Sequence, residues 1–277
     1  METEHKTLLH HFESQLDEAK YQFHGLAKKI RSKKIIPLEG LLFSCRLFLT
    51  LLSKIHFQEK RLVAKLFDPY ETLFKHLRKA HHIKIIEEAF VAYDNGFNGK
   101  FQDYRQFITS DKKREYALLF DLVVSWPLSV WEDLYLQVAK RVQSLSPLQV
   151  NTASHQNITE ELEGVEHAAG QHLDATRVKE IYEGLLAIVE VEKIRVSVGL
   201  NTVFTHSIHA EIDQLTHQLY QWYKSQLLLQ HLSHYLHEKE QVTEPYQKLL
   251  KAISKNQKAF IRKLGLDWEE LINRMSG

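Results

Sequence analysis

The segments His24-Gly-Leu-Ala-Lys-Lys-Ile-Arg-Ser-Lys-Lys34 and His172-Leu-Asp-Ala-Thr-Arg-Val-Lys179-Glu-Ile-Tyr182 each open on a histidine followed by cations at helical spacing, one segment in each half of the chain. Residues three and four apart share a helix face, so Lys28 with Arg31, or Lys29 with Lys33, would align their charges. A helix of this kind occurring twice points to a duplicated helical fold that presents positive charge. Such a surface suits a polyanion better than a catalytic substrate.

Outward from these segments, apolar residues recur at three- and four-residue spacings almost throughout, the pattern of amphipathic helices. Leu41, Leu42, Cys45, Phe48, Leu49 and Leu52 form one stripe; Leu219, Leu227, Leu228, His231, Leu232, Tyr235 and Leu236 form another. No segment alternates with period two, so no strand is expected. The five prolines all fall where helices could start: Pro37, Pro69 after Asp68, Pro127, Pro147 after Ser146, and Pro245. Proline at a first helical position sacrifices no internal hydrogen bond, and Asp68 or Ser146 can cap. Turn residues cluster from Asp94 to Gly99, and a polar run from about Ser146 to Thr159 reads as a linker. The expected architecture is all-α: a single domain over residues 1–277 made of two pseudo-symmetric, antiparallel four-helix-bundle-like halves, about 1–148 and 158–277.

Composition agrees. The chain has 277 residues, 44% of them apolar, with only 10 glycines and 5 prolines. That favours helix over sheet and is enough to bury a large core. One cysteine, Cys45, excludes an internal disulfide framework and a cysteine-rich metal site, and it fits a reducing compartment. The charged opening Met-Glu-Thr-Glu-His-Lys is unlike a secretion signal, and Leu38 to Ile55, the most apolar stretch, is interrupted by Glu39, Arg46 and Lys54. A soluble, cytoplasmic protein with no membrane partner is the expectation.

Net charge is +1, but its distribution is uneven: residues 1–150 hold 23 Lys and Arg against 18 Asp and Glu, and the remainder hold 13 against 17. From Lys20 to Lys34 there are six cations and no acid. The part of it from Lys28 to Lys34 has no interleaved aromatics, which argues against nucleic acid. His76, His81 and His82, His206 and His209, and His231, His234 and His237 cluster on helical spacings, but a metal site needs further ligands and supporting hydrogen bonds. No metal or other cofactor is expected. Phosphate-binding and nucleotide-binding loops, a nucleophile elbow and a zinc-protease motif are all missing, so no catalytic residue is assigned. Cys45 and the four tryptophans read as core residues. Lys28 to Lys34 is open to two readings, a solvated helix face or a phosphate contact. His24 and His172 are equally open, as structural histidines or as pH-dependent anion contacts.

The order of these segments resembles the conserved histidine α-helical domain (CHAD) family. Its members open each half with a helix of the form His-x-x-Arg-(Lys/Val)-x-x-Lys-(Lys/Arg). His24 and His172 match the histidine, and Arg31 and Lys179 match the later cation; Ala27 and Ala175 stand where the family has arginine. Each half of such a domain also carries a Leu-x-x-x-x-Gly-x-x-Arg-Asp or Gly-x-Trp-His-Asp segment. Here these become Leu73 to His82 and Leu215 to Lys224, with Trp222 kept, Arg78 and Tyr220 in place of glycine, and His82 and Lys224 in place of aspartate. The resemblance covers roughly residues 10–265 and is that of a diverged member. It implies two related four-helix bundles and binding of inorganic polyphosphate, or a similar polyanion, through basic helices. The implied contacts are His24, Lys28, Lys29, Arg31, Lys33, Lys34, Arg78 and Lys79, with His172, Arg177 and Lys179 forming the opposite wall. The alternative is a helical interaction module that has lost this ligand and binds another protein.

Overall fold

The three- and four-residue spacing is realised as helix throughout. The computed structural model describes residues 2–30, 33–94, 100–169, 173–237 and 239–276, with side chains described for 7–30, 33–94, 100–169, 173–237, 239–264, 271, 272, 274 and 275. Among the described residues there are nine helices and no strand, so the fold is all-α. They are α1 (Glu2–Lys28), α2 (Ile35–Ile55), α3 (Leu62–Asp94), α4 (Gln102–Val124), α5 (Ser129–Val142), α6 (Pro147–Ala169), α7 (Ala175–Ser197), α8 (His206–His237) and α9 (Glu244–Ser276). Arg31, His172, most of the Asp94–Gly99 turn and the Trp268 side chain lie outside the described residues.

Two expectations are corrected. The polar run from Ser146 to Thr159 is no linker but the first half of α6. Its Val150, Ala153, Ser154, Asn157 and Ile158 are buried at spacings of three, one, three and one, a helical face made partly of polar residues. Ser146 does cap: the Ser146 hydroxyl accepts from Gln149 N at 3.3 Å, and Gln149 Oε1 accepts from Ser146 N at 2.8 Å. This reciprocal pair satisfies two of the otherwise orphaned amides at the helix start. The second correction concerns Pro69, which starts no helix but lies inside α3. Proline in a helix interior costs about 3 kcal/mol. Here its neighbours Phe67 and Tyr70 are buried, and the Tyr70 hydroxyl donates to the Val130 carbonyl at 2.9 Å.

The chain forms two compact units, each drawn from three separated segments. The first comprises residues 1–79, 116–161 and 186–205. In it α1 lies against α2 and α5, and Phe12, Leu16, Ala19, Phe23 and Leu26 make a buried heptad-like stripe on α1. Phe12 meets Phe48 with ring centroids 4.8 Å apart, and Phe23, Tyr70, Trp126 and Trp131 form an aromatic cluster. Helix α2 is long and apolar enough to cross a membrane by length and composition alone. Its Leu38, Leu42, Cys45, Phe48, Leu49 and Leu52 instead face this unit's interior. Burial pushes the Cys45 thiol up to about 12, so it remains an inert thiol in an apolar stripe.

The second unit comprises residues 80–115, 162–185 and 206–277. Its core joins Ile83, Ile86 and Phe90 of α3, Tyr104 and Ile108 of α4, Leu228, Leu232 and Tyr235 of α8, and Tyr246, Leu249 and Ile253 of α9.

Candidate anion-binding surface

Helix α1 ends in cations. Lys29 N still bonds to the carbonyls of Gly25 and Leu26 at 3.1 Å, and α2 begins six residues later. Positive side chains in a last helical turn are favoured by the negative end of the helix dipole, so part of this cluster has a structural rationale of its own. His24, Lys28, Lys29 and Lys33 are all exposed. Tyr21, His24, Gly25 and Lys28 follow one another at helical spacing and share one face of α1.

Lys34 is the member whose position is fixed. Its side chain runs back across α1, with its ammonium 3.9 Å from the centroid of the Tyr21 ring. A Cβ at position 25 would collide with Cδ, Cε and Nζ of Lys34, so the hydrogen of Gly25 leaves the space through which the lysine passes. The α1 face is thereby a short platform: a tyrosine ring and a glycine beneath one ammonium, with His24 and Lys28 alongside. Neither Tyr21 nor Gly25 was singled out by the sequence reading. A glycine inside a helix, four residues after an aromatic and nine before a lysine, was the available signal.

The other expected contacts are differently placed. Arg78, on α3, is half-buried; its Nε lies 3.4 Å from Glu39 Oε1 and its guanidinium 5.2 Å from the Phe74 ring centroid. Lys79 beside it is exposed. Arg177 and Lys179 belong to the second unit, on the first turns of α7, where Asp174 caps the helix by accepting from Thr176 N and Arg177 N. Arg177 pairs with Glu180 at 2.8 Å, and Lys179 with Glu183 at 3.9 Å. Three of the expected cations thus face carboxylates of the same chain. Lys28, Lys29, Lys33 and Lys79 have no ion-pair partner among the described residues.

Two of the clustered histidines, His231 and His82, have hydrogen-bond partners within the second unit. Among the described residues no group of three or more His, Cys, Asp or Glu side chains is arranged to hold a metal ion. His231 bridges α4 and α8: its Nε2 lies 3.2 Å from Asp111 Oδ2 and its Nδ1 2.9 Å from the Tyr104 hydroxyl. A carboxylate only accepts, so Nε2 carries the proton and Tyr104 donates to Nδ1, which fixes one neutral tautomer. Burial holds the His231 pKa below the ordinary imidazole range despite the opposing pull of Asp111. Tyr104, whose hydroxyl burial also makes harder to ionise, is fully buried, so this chain of bonds ties helices together with no face toward a substrate. In the same unit Tyr223 and His82 Nε2 meet at 3.0 Å.

Compared with known proteins, the sequence matches no family model and no curated sequence. The likeness to the CHAD pattern therefore rests on the residues already named.

Proposed function

We propose that this chain is a non-enzymatic polyanion-binding protein of CHAD type whose ligand is inorganic polyphosphate or a close chemical relative. The observation that supports this reading is the exposed lysine cluster of Lys28, Lys29 and Lys33, which faces no carboxylate among the described residues, beside the Lys34 ammonium held over Tyr21. A linear polyanion meeting such a cluster makes charge-assisted contacts and releases its own counterions. Lysines act here as point charges rather than as the planar forks that arginine would supply, so recognition depends on charge density more than on phosphate geometry.

The test is a polyphosphate titration of the full chain at two salt concentrations, beside the variant Lys28→Ala/Lys29→Ala/Lys33→Ala. Four engaged lysines give a log–log salt slope of about −3 by the single-strand coefficient, so affinity falls roughly 60-fold from about 50 to 200 mM salt. The variant should lose most of both the affinity and the slope.

A second reading is favoured by the internal pairing of Arg78, Arg177 and Lys179, together with alanine at positions 27 and 175. It makes the chain a helical interaction module whose cations are spent on its own fold. An absence of polyphosphate binding at low salt would select it.

A further inference from the structure

From Glu115 to Ala139 the chain has four acids and no Lys, Arg or His. The same stretch holds five of the eleven large hydrophobic side chains exposed among the described residues: Leu118, Phe120, Val124, Leu128 and Leu136. Single exposed apolar residues are ordinary on a protein surface, but a concentration of them marks an interaction site. Phe120 and Val124 lie one turn apart on α4, Leu128 lies in the connection that follows, and Glu132 and Leu136 lie one turn apart on α5. Val124 and Leu128 are 64% and 59% exposed.

The core does not need these side chains. On the same two helices and their connection it already takes Leu119, Val123, Trp126, Trp131, Leu134 and Val138, all buried. The charges alongside are of one sign and uncompensated. Asp121, Glu132 and Asp133 are exposed and have no ion-pair partner among the described residues. Glu115, the fourth acid, is buried beside Arg114 and plays no part.

Exposed, unpaired carboxylates and bare Phe, Val and Leu, in a stretch with no cation in its sequence, are complementary to one kind of partner. We propose that this face of α4 and α5 docks a cationic amphipathic helix from another protein. The apolar stripe of that helix would cover Phe120, Val124, Leu128 and Leu136, and its lysines or arginines would pair with Asp121, Glu132 and Asp133. Helix-on-surface recognition through residues spaced three and four apart is a recurrent mode. Anionic lipid is disfavoured by the same carboxylates. The inference is independent of the polyanion reading, since none of its residues belongs to the α1–α2 cluster.

The experiment is a fluorescence-anisotropy titration of the full chain into a labelled leucine–lysine peptide of about 18 residues, five helical turns, patterned with one apolar face. A scrambled peptide of identical composition is the control for charge alone. Val124→Lys/Leu128→Lys and Asp121→Asn/Glu132→Gln/Asp133→Asn are the test variants, and Asp17→Asn/Glu18→Gln is the control for exposed acids elsewhere. These surface changes should leave stability within about 0.5 kcal/mol, which a thermal melt confirms. The patterned peptide is expected to bind at least about tenfold tighter than the scrambled one, a difference of about 1.4 kcal/mol. Both test variants should weaken it, and the control variant should not. Equal binding of the two peptides, or undiminished binding by the test variants, would overturn the proposal. So would sedimentation showing self-association of the native chain that Val124→Lys/Leu128→Lys abolishes, for the surface would then belong to a second copy.

Discussion

Gly25 exchanges helix propensity for access. Alanine there would favour α1 by about 1 kcal/mol, while displacing Lys34 from Tyr21 would lose about 0.5–1 kcal/mol of cation–π attraction at an exposed site. Gly25→Ala is therefore expected to leave the melting temperature nearly unchanged and still to weaken polyphosphate binding, because the one positioned ammonium is lost. Parallel melting and titration curves separate the two effects. His231 and His11 make a second prediction. Burial holds both imidazoles below their ordinary range. Above about pH 6.5 they are neutral folded and unfolded alike; as the pH falls from there toward the folded values, only the unfolded chain takes up their protons, and stability is lost. Glu161, whose carboxyl burial raises, works in the opposite sense nearer the carboxylate range. Urea midpoints between about pH 7 and 5.5 should fall, and His11→Gln should flatten the fall. At this scale little was legible in advance. That Lys28 and Lys33 would be cations in water follows from their type, but the resting place of Lys34 depends on the chain reversing between two helices, and His231 meets Tyr104 across 127 positions.

Helix α6 shows where element reading fails. Asn, Thr, Ser and Gln favour turns because their side chains compete for backbone hydrogen bonds, so residues 146–159 resembled a linker. The burial spacing from Val150 to Ile158 was nonetheless present in the same letters. What allows polar residues to face inward is a partner on α7: Arg195 donates to the Ser154 hydroxyl and to the carbonyls of Asn151 and Asn201. Glu192, one turn earlier, accepts from the backbone of Val203 and Phe204 at 2.8 and 3.0 Å, and lies 3.6 Å from Arg195. Both side chains are buried. Arg195→Leu should therefore cost about 3–5 kcal/mol, because it strands a buried carboxylate. Glu192→Gln/Arg195→Leu, which removes the charge and keeps an acceptor for the loop amides, should recover part of that loss in denaturant melts. The stripes on α2 and α8, by contrast, were readable directly, since a face apolar but for His231 needs little knowledge of what covers it.

At the scale of the molecule, the compact units are not the two halves of the sequence. Helices α3, α4, α6 and α7 each contribute residues to both units. A polypeptide of residues 146–277 carries α8 and α9 but lacks Ile83, Ile86, Phe90, Tyr104 and Ile108 of the core they share. It is expected to show no cooperative melt and poor dispersion of its amide resonances, whereas the same polypeptide co-expressed with residues 1–145 should regain both. The all-α class was plain from periodicity; this interleaving was not, because pairing between distant segments leaves no mark on local spacing. Interleaving also sets a timetable for synthesis. The first unit's opening 79 residues must await residues 186–205 before that unit can close. At about 5–20 residues per second that wait on the ribosome is on the order of ten seconds. Throughout it, the apolar faces of α1 and α2 depend on each other, or on a chaperone, for cover.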